Sequence, residues 1–310
     1  MSQYFDNKDL FLQPKVTQYG NHMVMTNVVK QTKTKYYNID TRFRDDYDET
    51  PSTYSISLPE RINDVKSIMV CNAEIPISYY NISTSLENNV FQITRPGISK
   101  TIIIRDGNYD MTSLKNEINT QISSVGLSDI TFNVSSNKSV FQSSNSSYSL
   151  HFAVKTSMTT SGDSTNTNFD KYNFKSKFGW VMGFRNIDYS FSNSVTSILS
   201  EAFLDLNGPK YLYLVVDEFI GGNQTSFLSP MHSSLLNKNI LAKIIPDYYH
   251  YPFGKVLTAN LSNSLLLTDK RSYNGKTDLQ RLKIQLVNEL GIPIDLNGLD
   301  FSFAIEVEYE

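Results

Sequence analysis

Phe301-Ser-Phe-Ala-Ile-Glu-Val-Glu-Tyr309 is the stretch on which the fold turns. Phe301, Phe303, Ile305, Val307 and Tyr309 alternate with Ser302, Ala304, Glu306 and Glu308. In an extended chain the first set lines one face and the second set the other, whereas a helix would scatter both around its axis. Toward the N-terminus the same period of two recurs at Leu282, Ile284 and Leu286. It recurs again at Tyr148, Leu150, Phe152 and Val154, and at Tyr54, Ile56 and Leu58. Tyr211-Leu-Tyr-Leu-Val-Val216 is apolar throughout, the pattern of a strand covered on both faces. Val65 through Ile75 is long enough to cross a whole sandwich, and Val90–Ile93 and Thr101–Ile104 flank the turn dipeptide Pro96-Gly97. Tyr36, Tyr37 and Ile39, Leu241 to Ile245 and Lys255 to Leu257 complete the series. Strands at intervals of roughly 8–15 residues, joined by long polar connections, predict an all-β chain: an antiparallel sandwich or jelly roll.

The rest of the composition agrees. With 310 residues the chain can bury about three quarters of its unfolded surface. Its 19 Tyr and 18 Phe suit half-buried sheet faces and protein interfaces. Lys and Arg total 28 against 31 Asp and Glu, a balance unlike the basic face of a dedicated nucleic-acid binder. The single cysteine, Cys71, excludes a disulfide framework and any multi-thiolate metal site, and its place in an apolar strand predicts a buried, inert thiol. No apolar run approaches the ~18 residues of a membrane span, and no basic-then-apolar leader opens the chain. The expectation is a soluble, non-secretory protein that matures in a reducing cytosol.

Four segments break the strand pattern. Residues 1–33 lack periodicity and predict an extended arm, whose Phe11, Leu12, Val24 and Met25 must dock on the body or on a neighbour. Leu114, Ile118 and Ile122 stand at i, i+4 and i+8 behind Asp110 and Thr112, predicting one capped helix that covers a sheet. Residues 156–170 are a run of Ser, Thr, Asn and Gly, an exposed loop. Phe178-Gly-Trp-Val-Met-Gly-Phe184 is an apolar patch broken by two glycines, consistent with a close-packed turn.

A search for chemistry returns little. His22, His151, His232 and His250 show no ligand spacing. Asp45-Asp46-Tyr47-Asp48-Glu49 lacks the order of a calcium loop and reads as a solvated turn. Asn274-Gly-Lys-Thr277 ends like a phosphate loop, but Lys270 stands where the motif needs glycine. Glu306 and Glu308 share a strand face, but an outward pair on a terminal strand faces solvent; a glycoside hydrolase would need two carboxylates across a cleft. Asn-x-Ser/Thr triplets, as at Asn81, Asn145 and Asn223, are expected by chance in such a sequence. No enzyme activity, metal or cofactor is expected. Lys30, Lys33 and Lys35, with Arg42 and Arg44, gather where the arm meets the body. They read either as a contact for an acidic partner or as a solvated strand margin. With Phe11 and Leu12 they form the expected partner interface.

Three stretches in order carry a resemblance. The first is Tyr37-Asn-Ile-Asp-Thr-Arg-Phe-Arg-Asp45 with Tyr54-Ser-Ile-Ser-Leu-Pro59 and Val65 through Pro76. Next come Asp106-Gly-Asn-Tyr109, the helix after it, and Phe178 through Arg185. The last runs from Leu282 through Gly291-Ile-Pro-Ile-Asp-Leu-Asn-Gly298 to Phe303. In this order, over about residues 36–310, the chain resembles the penton and minor capsid proteins of large nucleocytoplasmic DNA viruses, the giant viruses among them. The resemblance implies a jelly-roll subunit of an icosahedral capsid with no catalytic residue to carry over. It also implies copies of itself as partners in a homopentamer, major and minor capsid proteins as neighbours, and a place in the virion after synthesis in the host cytoplasm. Penton at the five-fold vertices is the first reading and minor (cement) protein the alternative; a glycan-binding β-sandwich is a third. The domain plan expected is an arm over 1–33 and a jelly-roll domain over 34–310, with a helix-containing insertion at approximately 106–185.

Overall fold

The computed structural model describes residues 31–144, 147–154, 162–163, 171–219 and 239–310. Almost all of the expected arm, with Phe11, Leu12 and Lys30, and nearly all of the loop 156–170 lie outside the described residues. The chain opens with strands β1 (Lys33–Asp40), β2 (Thr53–Ile62) and β3 (Val65–Pro76). A second group follows: β4 (Val90–Arg95), β5 (Ile98–Ile103), the helix Met111–Ser124, β6 (Ile130–Ser135), β7 (Lys138–Ser143), β8 (Ser149–His151), β9 (Gly162–Asp163), β10 (Asp188–Ser190) and β11 (Ser197–Leu199). It closes with β12 (Leu212–Asp217), β13 (Ile240–Ile244), β14 (Val256–Asn260), β15 (Leu266–Thr268), β16 (Arg271–Ser272), β17 (Leu279–Asn288) and β18 (Ser302–Tyr309).

The first and last groups form the sandwich. One sheet has the order β1-β18-β3-β14, with β16 also on β3; the other has the order β15-β13-β12-β17-β2. All of these pairings are antiparallel. Counting β1, β2, β3, β12, β13, β14, β17 and β18 as first to eighth, the sheets read first–eighth–third–sixth and second–seventh–fourth–fifth. That double Greek key is a jelly roll, as the strand pattern implied. Phe303, Ile305 and Val307 are buried completely and face Leu214, Val216, Leu282, Ile284 and Leu286 within one core. Ser302, Ala304, Glu306 and Glu308 form the half-exposed outer face.

β3 keeps its own alternation against β18 only by absorbing extra residues. Ala304 stands opposite Asn72 and Ile305 opposite Val70, so Cys71 is the surplus residue of a bulge. This corrects the expectation of a buried thiol: Cys71 is half-exposed beside the outer face. One tie between the sheets was not legible in the sequence. Arg271, fully buried on β16, donates to the Val216 carbonyl at 2.8 Å and pairs with Glu218 just beyond β12. Tyr273 donates to the same carboxylate at 2.6 Å, so the buried ion pair is also hydrogen-bonded.

The second group has its own core. β10-β8-β4-β5-β9 and β11-β7-β6 are separate sheets, and the rings of Phe91, Phe132, Phe141, Phe152, Phe178 and Phe184 meet between them with neighbouring centroids 4.7–6.3 Å apart. The helix forms as its spacing predicts. Leu114, Ile118 and Ile122 are buried, and Asp110 caps it by accepting the Ser113 N–H at 2.7 Å. This core draws residues from Ile82 to Leu204, so the limits expected for the insertion, 106–185, fall inside it. The β4–β5 hairpin has a pattern that suits either body; only the pairing of Gln92, Ile93 and Thr94 with His151, Leu150 and Ser149 assigns it.

The two glycines of Phe178–Phe184 do what the patch suggested. A Cβ on Gly179 would lie 2.5 Å from that of Phe152, and one on Gly183, where φ is +89°, would lie 2.3 Å from the Ala202 carbonyl oxygen. Gly183→Ala is therefore expected to cost about 2–4 kcal/mol, from positive-φ strain plus the clash. Urea unfolding followed by the fluorescence of Trp180, the only tryptophan, checks this in the body concerned. An unchanged midpoint would contradict it.

Candidate interaction surface

The basic stretch expected to meet a partner is largely neutralised within the chain. Lys33 opens β1 opposite Tyr309. Lys35 pairs with Glu60 of β2 at 2.5 Å, and Tyr37 donates to the same carboxylate at 3.1 Å. Those hydrogen bonds hold Glu60 below the usual carboxylate range and raise Lys35. Arg42 folds onto Asp40, with Nη2 at 2.6 Å from Oδ2, and holds that carboxyl low. Arg44 is mostly buried: it donates to the Thr41 carbonyl at 2.8 Å and to Asp300 at 3.2 Å, and its guanidinium lies 4.6 Å from the centre of the Tyr47 ring. These cations brace β1 against its neighbours and the turns beside it.

The outward acids are tied in the same way. Lys270 pairs with Glu308 and lies 3.7 Å from Glu306, while Tyr36 donates to Glu306 and Ser67 to Glu308. His151 pairs with Asp188 and His250 with Asp247; His22 and His232 lie outside the described residues. Among the described residues, no group of three or more His, Cys, Asp or Glu is arranged to hold a metal, and no helix is long and apolar enough to cross a membrane.

What the structure brings together instead is an apolar rim. Asp40 lies opposite Ser302, Ser302 opposite Glu74, and Pro76 opposite Val256, so the turns after β1 and β13, the exit of β3 and the approach to β18 share one end of the sandwich. Phe43, Tyr249, Phe253 and Leu299 stand exposed on these turns, Tyr249 at 88 %, and Val256 at the start of β14. Phe253 stacks on Tyr80 with ring centres 6.0 Å apart. Periodicity reports buried faces, so exposed rings in turns gave no sequence signal.

The second body leaves from this same end, and Asn81 clasps its two connections. Its side-chain amide donates to the carbonyls of Tyr109 and Leu206, both at 2.8 Å, and its oxygen accepts the Tyr109 N–H at 2.9 Å. A cleft lies on either side. The smaller, about 220 Å³, is lined by Tyr79, Tyr109, Tyr248 and Phe253. Tyr79 and Tyr248 share a hydrogen bond at 3.0 Å, and burial pushes both phenols up. The larger, about 300 Å³, holds Lys175, Trp180, Arg185, Asp205, Lys210 and Glu289. Arg185 covers the face of Trp180 at 4.0 Å. Lys210 links the two acids: its ammonium is 3.7 Å from Asp205 and its N–H reaches Glu289 Oε1 at 3.4 Å.

Glu289 Oε2 is buried without a hydrogen-bond partner, and burial raises this carboxyl above its usual range. A carboxyl raised in the folded state stabilises the fold below its unfolded pKa and loses that contribution as pH climbs through the folded value. Glu289→Gln, which removes the charge, is accordingly expected to raise the melting temperature at pH 7 and to leave it unchanged below about pH 4, where both side chains are neutral. Thermal melts across that range check the sign; a drop at pH 7 would contradict it.

No protein-family model matches the chain, and no curated protein matches it. Among solved structures it is similar to the crystal structure of selenomethionine-labelled mavirus penton protein, with 11 % identity and a TM-score of 0.38 over 91 % of this chain and 100 % of that one. The jelly roll is established by the strand order described above, independently of that likeness.

Proposed function

We propose that the chain is a structural protein of an icosahedral virus capsid, the penton subunit at the five-fold vertices. Its partners are then copies of itself in a homopentamer and the adjoining capsid proteins, and its place is the virion. The observation that carries this reading is the apolar rim of Phe43, Tyr249, Phe253, Val256 and Leu299 at one end of a rigid jelly roll. Exposed rings gathered on neighbouring turns are what a protein contact buries. The ordered stretches that resemble penton and minor capsid proteins support the same reading. In a ring each contact is heterologous, one flank of a subunit meeting the other flank of the next, and rotation closes it.

The other classes fit less well. In the larger cleft the face of Trp180 is covered by Arg185, which leaves no open aromatic platform on that ring for a glycan. A glycoside hydrolase needs two carboxylates across a cleft; Glu306 and Glu308 lie on one strand face and are held by Lys270.

Native mass spectrometry of the full chain is expected to show pentamers, and cryo-electron microscopy of particles to place it at the vertices. Tyr249→Ser with Phe253→Ser is expected to weaken assembly about tenfold or more while leaving the melting temperature nearly unchanged. Density elsewhere in the shell would replace the penton assignment with the minor-protein one; absence from particles would overturn both.

A further inference from the structure

We propose that the larger cleft receives the acidic turn at Asp46 and Asp48 of a second copy of this chain, through Lys175, Arg185 and Lys210. The proposal rests on the self-assembling reading above and names one contact within it.

The cleft has positive charge to spare. Arg185 Nη1 donates to the carbonyls of Trp180 and Phe184 at 3.1 and 3.0 Å, neutral acceptors that leave the guanidinium charge unmatched. Lys175 Nζ lies 6.0 Å from the centre of the same indole ring. Among the described residues neither side-chain cation is in an ion pair, although the Arg185 backbone N–H donates to Glu201 at 2.9 Å, and the three cations of the cleft face two acids, Asp205 and Glu289. Lys210 is 70 % exposed and only 3.7 Å from Asp205, a loose pair that can turn toward an incoming acid.

The turn supplies matching negative charge. Within Asp45–Glu49, the two end residues are used internally: Asp45 accepts the Ser57 N–H and hydroxyl, both at 2.8 Å, and Glu49 accepts the Ser55 N–H at 2.6 Å. The middle is spare. Among the described residues the Asp46 carboxylate accepts only the Asp48 N–H, through Oδ1 at 2.9 Å, and the Asp48 carboxylate has no partner. Both residues are exposed. Among the described residues of one chain no ion pair joins this turn to the cleft, so both charges are available to another copy. An acidic turn and a separate basic cleft suit a heterologous contact between copies, and such charges set register and encounter rate. A cleft of about 300 Å³ has room for two carboxylate side chains.

The test uses the full chain and sedimentation velocity in low and high salt. Asp46→Lys with Asp48→Lys, and separately Lys175→Glu with Lys210→Glu, are each expected to weaken self-association about tenfold or more, and the four together to restore it to within about threefold. Wild-type association is expected to weaken as salt rises. Thermal melts of each variant separate misfolding from lost contact, and the salt series tests the wild type without any substitution. If the wild type assembles and the reversed pairs assemble equally well, or the fourfold variant regains nothing, this contact is overturned and the shell-subunit reading stands. A wild-type chain that never self-associates overturns both.

Discussion

The structure depends on one strand being answered on both sides. β18 lies between β1 and β3, so its backbone groups must be met by residues from opposite ends of the sequence: Lys33 lies opposite Tyr309, and Ser302 opposite Glu74. Unpaired, those buried N–H and C=O groups would each forfeit a hydrogen bond. Once paired, Phe303, Ile305 and Val307 are pressed onto the opposing sheet, each contributing about 1.5–3 kcal/mol by burial. Sandwich closure is therefore non-local, and the core cannot be completed before distant segments meet.

That closure also decides where interaction surfaces are found. The strands that pair with β18 and β3 end together, so the turns between them gather at one end and carry exposed rings there. The second body leaves from the same end and keeps its apolar residues in a core of its own, joined through the Asn81 clasp. Polar clefts at such a seam follow from joining two cores that do not merge: the groups between them are neither fully packed nor fully wet. Glu289, half-buried with its Oε2 unmatched, is the clearest instance.

Charge is distributed by the same geometry. The cations that cluster in sequence around residues 33–44 are largely consumed in bracing β1, whereas Lys175 and Arg185, which form no ion pair among the described residues, come from the second body and meet Lys210 of the returning connection only in three dimensions. Sequence proximity is a poor guide to free charge, because a basic residue beside a strand end is also beside the carboxylates of its partner strands.

By itself the sequence determined the local choices. Alternation settled which residues of β18, β17 and β2 face the core, the i, i+4, i+8 spacing settled the helix, with Asp110 and Thr112 as its candidate caps, and two glycines marked the tight approach at Phe178–Phe184. Each is decided within a few residues by side-chain direction or backbone sterics. Tertiary structure alone decided the strand order, the assignment of the β4–β5 hairpin to the second core, the bulge that exposes Cys71, the buried Arg271–Glu218 tie, and the rim and clefts. The physical reason is that a pleated strand shows the same period of two whichever strand it pairs with, so pairing, bulges and clefts are set by distant partners rather than by the segment itself.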